Sequence, residues 1–322
     1  MSTSSFDNFA WLTNGFLQRL YIGITTVADN CKKIFAASFE VKTMKRPNSR
    51  GWYASVAAII FIVANNLPYL MRFFDLKRFL PSLVVLGFRN ILEIVLCFFG
   101  VSFAHRFGFK RSARELGLRA PVKRASVFSF IAALPMLLAF AFTSSVNPNM
   151  TFLTVGVGCF IAPFAEEVLF RSFMFRQLYR RARFGFWLSA LIPSVLFALG
   201  HLYQSNDFWE LVGISVITGL GSILSCWIFI RWQDNLWAIF GLHSLMNLWW
   251  EVFAVDNTAL GGWLANAARL LTITLAIVLT IYKNRIWKPM PIEAENILMS
   301  EDDEKVKGEN TERLSFAKPA LI

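Results

Sequence analysis

The chain has 322 residues, 56% of them hydrophobic and only 16% charged, with 33 Phe and 11 Trp. A soluble domain carries about a quarter charged residues, so a mean hydropathy of +0.50 excludes an ordinary water-soluble fold and indicates a polytopic membrane protein. The net charge of +11 gathers beside apolar stretches and the aromatics lie inside them, which excludes a basic groove with stacking aromatics and hence nucleic acid as a partner.

Residues 1–50 are mixed. Trp11, Leu12, Phe16, Leu20 and Ile24 recur at roughly helical spacing, which predicts an amphipathic helix on the membrane surface, with a partly ordered tail as the alternative. Lys42, Lys45, Arg46 and Arg50 form a basic cluster after it. No basic region followed by an apolar core opens the chain, so no cleaved signal peptide is expected. Eight apolar spans follow, at about 52–71, 80–104, 126–146, 151–179, 184–204, 209–230, 235–255 and 260–282. Each is near the ~20 residues that cross a hydrocarbon core. The fold class expected is therefore all-α, a polytopic transmembrane bundle of about eight helices.

Loop charge orients the spans. The loop 105–125 carries Arg106, Lys110, Arg111, Arg114, Arg119, Lys123 and Arg124, and the segment after the fourth span carries Arg176, Arg180, Arg181 and Arg183. Lys283, Arg285 and Lys288 follow the eighth span, whereas loops 147–150, 205–208 and 256–259 have no Lys or Arg. Both termini are then expected in the cytoplasm. Arg72, Lys77 and Arg78 disagree, which makes 72–79 a candidate shallow or re-entrant segment. Residues 289–322, with Glu293, Glu295, Glu301, Asp302, Asp303, Glu304, Glu309 and Glu312, read as a disordered acidic tail. Cys31, Cys97, Cys159 and Cys226 are far apart and form no CxxC pair, so neither a disulfide nor a zinc site is inferred from them.

The polar residues inside the spans carry the chemistry. Glu166, Glu167 and Arg171 interrupt an otherwise uncharged run from Thr151 to Phe175. Each ionisable group at the bilayer centre costs about 2.5–3.5 kcal/mol on the insertion scale, so intramembrane carboxylates are functional candidates by default. Glu167 and Arg171 are four apart and can pair on one helix face. Glu166, rotated by about 100°, has no partner on its own helix, and an unpaired buried carboxyl can serve as a general base. The alternative is one ion cluster joining helices. His105 lies in the basic loop and is expected to be solvated. His201 ends Phe197-Ala198-Leu199-Gly200-His201, and His243 shares a helix face with Asn247. A single membrane His more often bonds helix to helix than catalyses, but Glu166, His201, His243 and Asn247 on three spans could line one polar pocket. Their depths differ by roughly 14 Å at ~1.5 Å per residue, so convergence requires tilted or offset helices.

Glu-Glu-x-x-x-Arg at 166–171, Phe-x-x-x-His at 197–201 and His-x-x-x-Asn at 243–247, in that order on successive spans, resemble the CPBP family. These are the CAAX-protease and bacteriocin-processing (Abi) intramembrane proteases, which include the eukaryotic type II CAAX prenyl endopeptidase. The resemblance implies an eight-helix intramembrane endopeptidase. Its core would run from about 115 to 283, with residues 1–50 as a cytoplasmic segment, 51–114 as accessory transmembrane helices and 284–322 as the tail.

By the same resemblance, Glu166 and His201 would activate the attacking water, His243 and Asn247 would stabilise the oxyanion, and Glu167 and Arg171 would orient the site. Phe197 would pack beside His201. Those residue types suit the chemistry, which needs a base for water and donors aimed at the developing oxyanion. Metal use stays open. The family is often labelled metalloprotease, and Glu166, His201 and His243 are the candidate zinc ligands, but there is no His-Glu-x-x-His and a metal-free mechanism serves equally. The expected partners are membrane lipid and a substrate that is a CAAX-type prenylated protein or a leader peptide. The expected location is a bacterial plasma membrane, or the ER membrane if eukaryotic. A catalytically silent immunity or scaffold member and a proton-coupled transporter are the competing readings. The transporter predicts internal symmetry, and no tandem repeat is visible.

Overall fold

The computed structural model describes residues 50–73 and 76–287. Among these the protein is a bundle of nine helices with no strand. They are α1 Arg50–Phe73, α2 Ser82–His105, α3 Phe109–Glu115, α4 Val122–Thr143, α5 Phe152–Arg181, α6 Phe186–Leu199, α7 Phe208–Arg231, α8 Leu236–Val252 and α9 Trp263–Ile286. The predicted amphipathic helix, Cys31 and the acidic tail lie outside the described residues. Each of the eight predicted spans falls on a helix. Seven of the helices are long and apolar enough to cross a membrane, α6 when taken with the turn that continues it to Gln204. The eighth, α8, has 17 residues, about 26 Å against a hydrocarbon core of about 30 Å.

Local chemistry sets the helix ends. Pro81 and Pro121, with φ of −55° and −62°, immediately precede α2 and α4, where a fixed φ and a missing N–H cost nothing. Asp207 starts α7 by accepting the Glu210 N–H at 2.9 Å, and Asn235 starts α8 by accepting the Trp237 N–H at 3.0 Å. α5 ends where Arg183 and Gly185 turn to positive φ.

α5 is not a regular α-helix. Residues Val155–Ile161, Glu167–Phe175 and Gln177–Arg181 bond i→i+5; the Arg176 N–H, for example, donates to the Arg171 carbonyl. One regular turn, Ala162–Glu166, separates the first two stretches and contains Pro163, which has no N–H to donate. Such wide turns are rare and occur frequently at functional sites. α5 packs against α1, α2, α6, α7 and α8, while α4 lies along α8 and α9. Phe128, Phe173, Phe175, Phe229 and Trp232 fill the core, and Phe99, Phe142 and Phe152 face outward. Cys97, Cys159 and Cys226 are buried free thiols.

The basic end departs from expectation. His105 is buried, not solvated: its ring stacks on Tyr53 and Phe107 at 4.8 and 4.9 Å and hydrogen-bonds Gln177 at 2.9 Å. Its neighbours Arg106 and Lys110 suggest a solvated loop, but His105 is the last residue of α2 and its side chain is buried. Arg176 and Arg181 also turn inward, onto the buried Glu115 at 2.7 and 3.0 Å. Arg176 reaches Asp234 at 2.9 Å and Arg180 reaches it at 3.3 Å. This network ties α3 and the α7–α8 turn to the end of α5, and so fixes α8 relative to α5.

Candidate functional site

α5 supplies the Glu pair at the junction between its regular turn and its second wide stretch. Glu166 is the last residue of the one and Glu167 the first of the other. They differ sharply in environment. Glu167 is fully buried, whereas the Glu166 side chain is 30% exposed. Arg171 Nη1 lies 3.2 Å from Glu167 Oε1, the i,i+4 pair expected from the sequence. The same oxygen has a second partner, His243 Nδ1 of α8, at 2.8 Å. Glu167 therefore holds two cationic or donor groups, and α5 and α8 are bonded through it. Its other oxygen, Oε2, has no hydrogen-bond partner.

His243 lies between the two carboxyls. Its Nδ1 is on Glu167 and its Nε2 faces Glu166 Oε2 at 3.8 Å. Because an ionised carboxylate only accepts, the Nδ1 hydrogen is donated to Glu167. Nε2 is then free to act toward the exposed side, where Glu166 stands. Asn247 is one turn further along the same face of α8 and is partly buried.

His201 lies just past the end of α6, where Leu202–Gln204 forms a single 3₁₀ turn. Its Nδ1 is 2.8 Å from the Phe197 carbonyl. A carbonyl only accepts, so Nδ1 carries the hydrogen and Nε2 is the free nitrogen. Phe197 connects the groups physically. Its ring centre is 4.5 Å from that of His201 and 6.4 Å from that of His243, and the Arg171 guanidinium lies over it at 4.5 Å. An Arg over an aromatic face gains a cation–π attraction that is strongest when desolvated. Phe197 thus packs beside His201 as expected, and it also covers the Arg171 side of the Glu167 pair.

The structure brings Glu166, Glu167, Arg171 and His243 into one connected group and joins His201 to it through Phe197. Among the described residues no three His, Cys, Asp or Glu side chains come together as a metal-holding group. Arg89, Asn90 and Glu93 of α2 are polar residues within an apolar helix and lie outside the three motifs. Arg89 Nε is 3.2 Å from Glu93 Oε1, an ion pair within the apolar α2. The signal was available in the sequence: two opposite charges four apart within an apolar span, as at Glu167 and Arg171.

A family model described as Type II CAAX prenyl endopeptidase Rce1-like matches residues 147–249. That stretch contains α5, α6, α7 and most of α8, with Glu166, Glu167, Arg171, His201, His243 and Asn247 all inside it. No curated protein and no solved structure shows significant similarity to the chain. Over residues 147–249 the chain is thus similar to the Rce1-like type II CAAX prenyl endopeptidases, in keeping with the CPBP family that the three motifs resemble.

Proposed function

We propose that the protein is an intramembrane endopeptidase that hydrolyses a peptide bond in a membrane-associated substrate, a CAAX-type prenylated protein or a leader peptide. The observation that supports this most is His243 held between two unlike carboxyls, 2.8 Å from the fully buried Glu167 and 3.8 Å from the half-buried Glu166. A purely structural ion cluster would bury both.

The roles follow from what each group can donate or accept. Glu166 takes a proton from water, and His201 Nε2 accepts the water's other hydrogen and so orients it. The water oxygen adds to the scissile carbonyl carbon, and the carbonyl oxygen becomes an oxyanion. The His243 imidazolium, with Nδ1–H on Glu167, presents Nε2–H to that oxyanion, and the Asn247 amide provides a second donor. As the carbon–nitrogen bond breaks, Glu166 returns its proton to the leaving amine. Arg171 offsets the charge of Glu167, so the carboxylate can stay ionised and hold the imidazolium. Water is activated without a metal in this reading.

The test is incubation of the purified protein with a farnesylated CAAX peptide and with an unprenylated control, with products identified by mass spectrometry. Zinc content and cleavage in the presence of a chelator are measured on the same preparation. Cleavage that survives the chelator at substoichiometric zinc is the result expected. Cleavage restored only by added zinc contradicts the metal-free mechanism, and absence of cleavage of any membrane peptide contradicts the enzyme.

A further inference from the structure

Glu166, His243 and Asn247 stand within helices, whereas His201 stands beyond the end of α6. Its N–H donates to the Ala198 carbonyl at 3.0 Å, and its carbonyl accepts the Gln204 N–H at 3.2 Å. The 3₁₀ turn that follows, Leu202–Gln204, contains no buried residue, and Tyr203 within it is 84% exposed. A turn with so little apolar anchorage depends on its polar contacts for local stability. A reacting group, however, has to be held to within about 0.5 Å, which is harder on a loop than on a helix.

The polar contacts of this segment lead to the α8–α9 loop, residues 253–262. Gln204 Oε1 accepts the Ala259 N–H at 2.7 Å. Ser205 Oγ donates to Glu210 Oε2 at 2.6 Å, and Thr258 Oγ1 donates to Glu210 Oε1 at 3.0 Å, so one carboxylate of α7 joins the two loops. The α8–α9 loop is itself fixed. Arg269 of α9 donates to the Ala259 carbonyl at 2.8 Å, and its guanidinium lies over the Trp250 ring of α8 at 4.7 Å. Trp250 Nε1 donates to the Asp256 carbonyl at 3.0 Å. Leu260 lies against Gly213 of α7, where a β-carbon would come within 2.8 Å of it. Ala259 is thus tied by its carbonyl to α9 and by its N–H to the turn that carries His201. Because the loop continues directly from α8, these bonds also link His201 to the helix of His243 and Asn247.

We propose that Gln204 and Glu210 are positioning residues for His201: they clamp the segment 201–205 onto the α8–α9 loop and so hold the imidazole where its Nε2 orients the attacking water. Neither residue acts on the substrate itself. The inference rests on the endopeptidase reading for its consequence in catalysis, and on the hydrogen bonds between the two loops for the clamp.

The test is imidazole NMR of the full chain in detergent, beside peptide cleavage. The chain has three His, and the His201 signal is assigned by its loss in His201→Gln. Gln204→Met removes the acceptor for Ala259, and Thr258→Val removes a hydroxyl that Glu210 holds; Gln204→Glu and Thr258→Ser keep them. Gln204→Met and Thr258→Val are each expected to shift or broaden the His201 signal and to leave that of His105, at the basic end, in place. Each is expected to lower kcat about ten- to a hundredfold, the scale of a displaced reacting group, with KM close to that of the wild type. Gln204→Glu and Thr258→Ser are expected to recover most of both effects. In a His201→Gln background, Gln204→Met should lower kcat no further, because residues that act as a unit are not additive. A His201 signal unmoved in Gln204→Met and Thr258→Val, an equal loss in Gln204→Glu, or a full further loss in the His201→Gln background overturns the proposal. The imidazole signal is read without substrate, so a wild-type protein that cleaves nothing overturns the endopeptidase reading, whereas an unmoved signal overturns the clamp whatever the activity.

Discussion

A carboxylate can only accept hydrogen bonds, so the 2.8 Å contact between Glu167 and His243 fixes the imidazole by its Nδ1–H and leaves Nε2 for chemistry. The division of labour between Glu166 and Glu167 was partly legible in the sequence. The i,i+4 spacing to Arg171 marked Glu167 as the paired member, and the structure has that pair at 3.2 Å. The second partner of Glu167 was not legible, because spacing on one helix says nothing about which neighbouring helix a side chain meets. Loss of Arg171 is expected to be costly. Arg171→Leu leaves the fully buried Glu167 without its main counter-charge, and breaking a buried pair in this way costs about 3–5 kcal/mol. Thermal unfolding in detergent should register a large drop, and activity should fall with it. Phe197→Ala is expected to lower kcat more than it raises KM, because the ring touches His201 and Arg171 and is remote from solvent; steady-state kinetics on a peptide checks it.

Among elements, α5 is the one that hydropathy described least completely. Its span was predicted at 151–179 and found at Phe152–Arg181, but its i→i+5 stretches leave no mark on an apolar profile, since Phe, Val and Leu suit either turn. α8 was also legible in place and not in length. The ion network around Glu115 was invisible because the same arginines read equally well as solvated loop charges. Burial alone would push the Glu115 carboxyl up, but Arg176 and Arg181 overrule it and hold it at about 2. A carboxyl depressed from its ordinary 4.5 contributes stability above that value and loses it as pH falls toward 2. The melting temperature should therefore decline across that window. Glu115→Gln should start lower and vary less with pH, as a pH series of unfolding curves can record.

For the whole molecule, apolar length located the helices: each of the eight predicted spans falls on one, and seven of those are long and apolar enough to cross a membrane. Orientation rests on loop charge. We propose that the basic end, with the 105–125 loop, is cytoplasmic. Single cysteines at Lys110 and Asn257, in a background with Cys31 replaced by Ser, should label with a membrane-impermeant maleimide from opposite sides, Lys110→Cys only from the cytoplasmic one. The three motifs were legible as an ordered set, and residues 147–249 match the family they indicated. What the motifs could not supply was α2, which lies outside them and packs against α5.

The most direct measurement is the rate of peptide cleavage by Glu166→Gln beside its melting temperature. The substitution keeps the shape of a side chain that is 30% exposed and removes its ability to take a proton from water. General-base catalysis contributes about 10²–10⁴-fold, so kcat is expected to fall by about a thousandfold while the melting temperature stays close to that of the wild type. A Glu166→Gln protein that cleaves at the wild-type rate contradicts the assignment of Glu166 as the base.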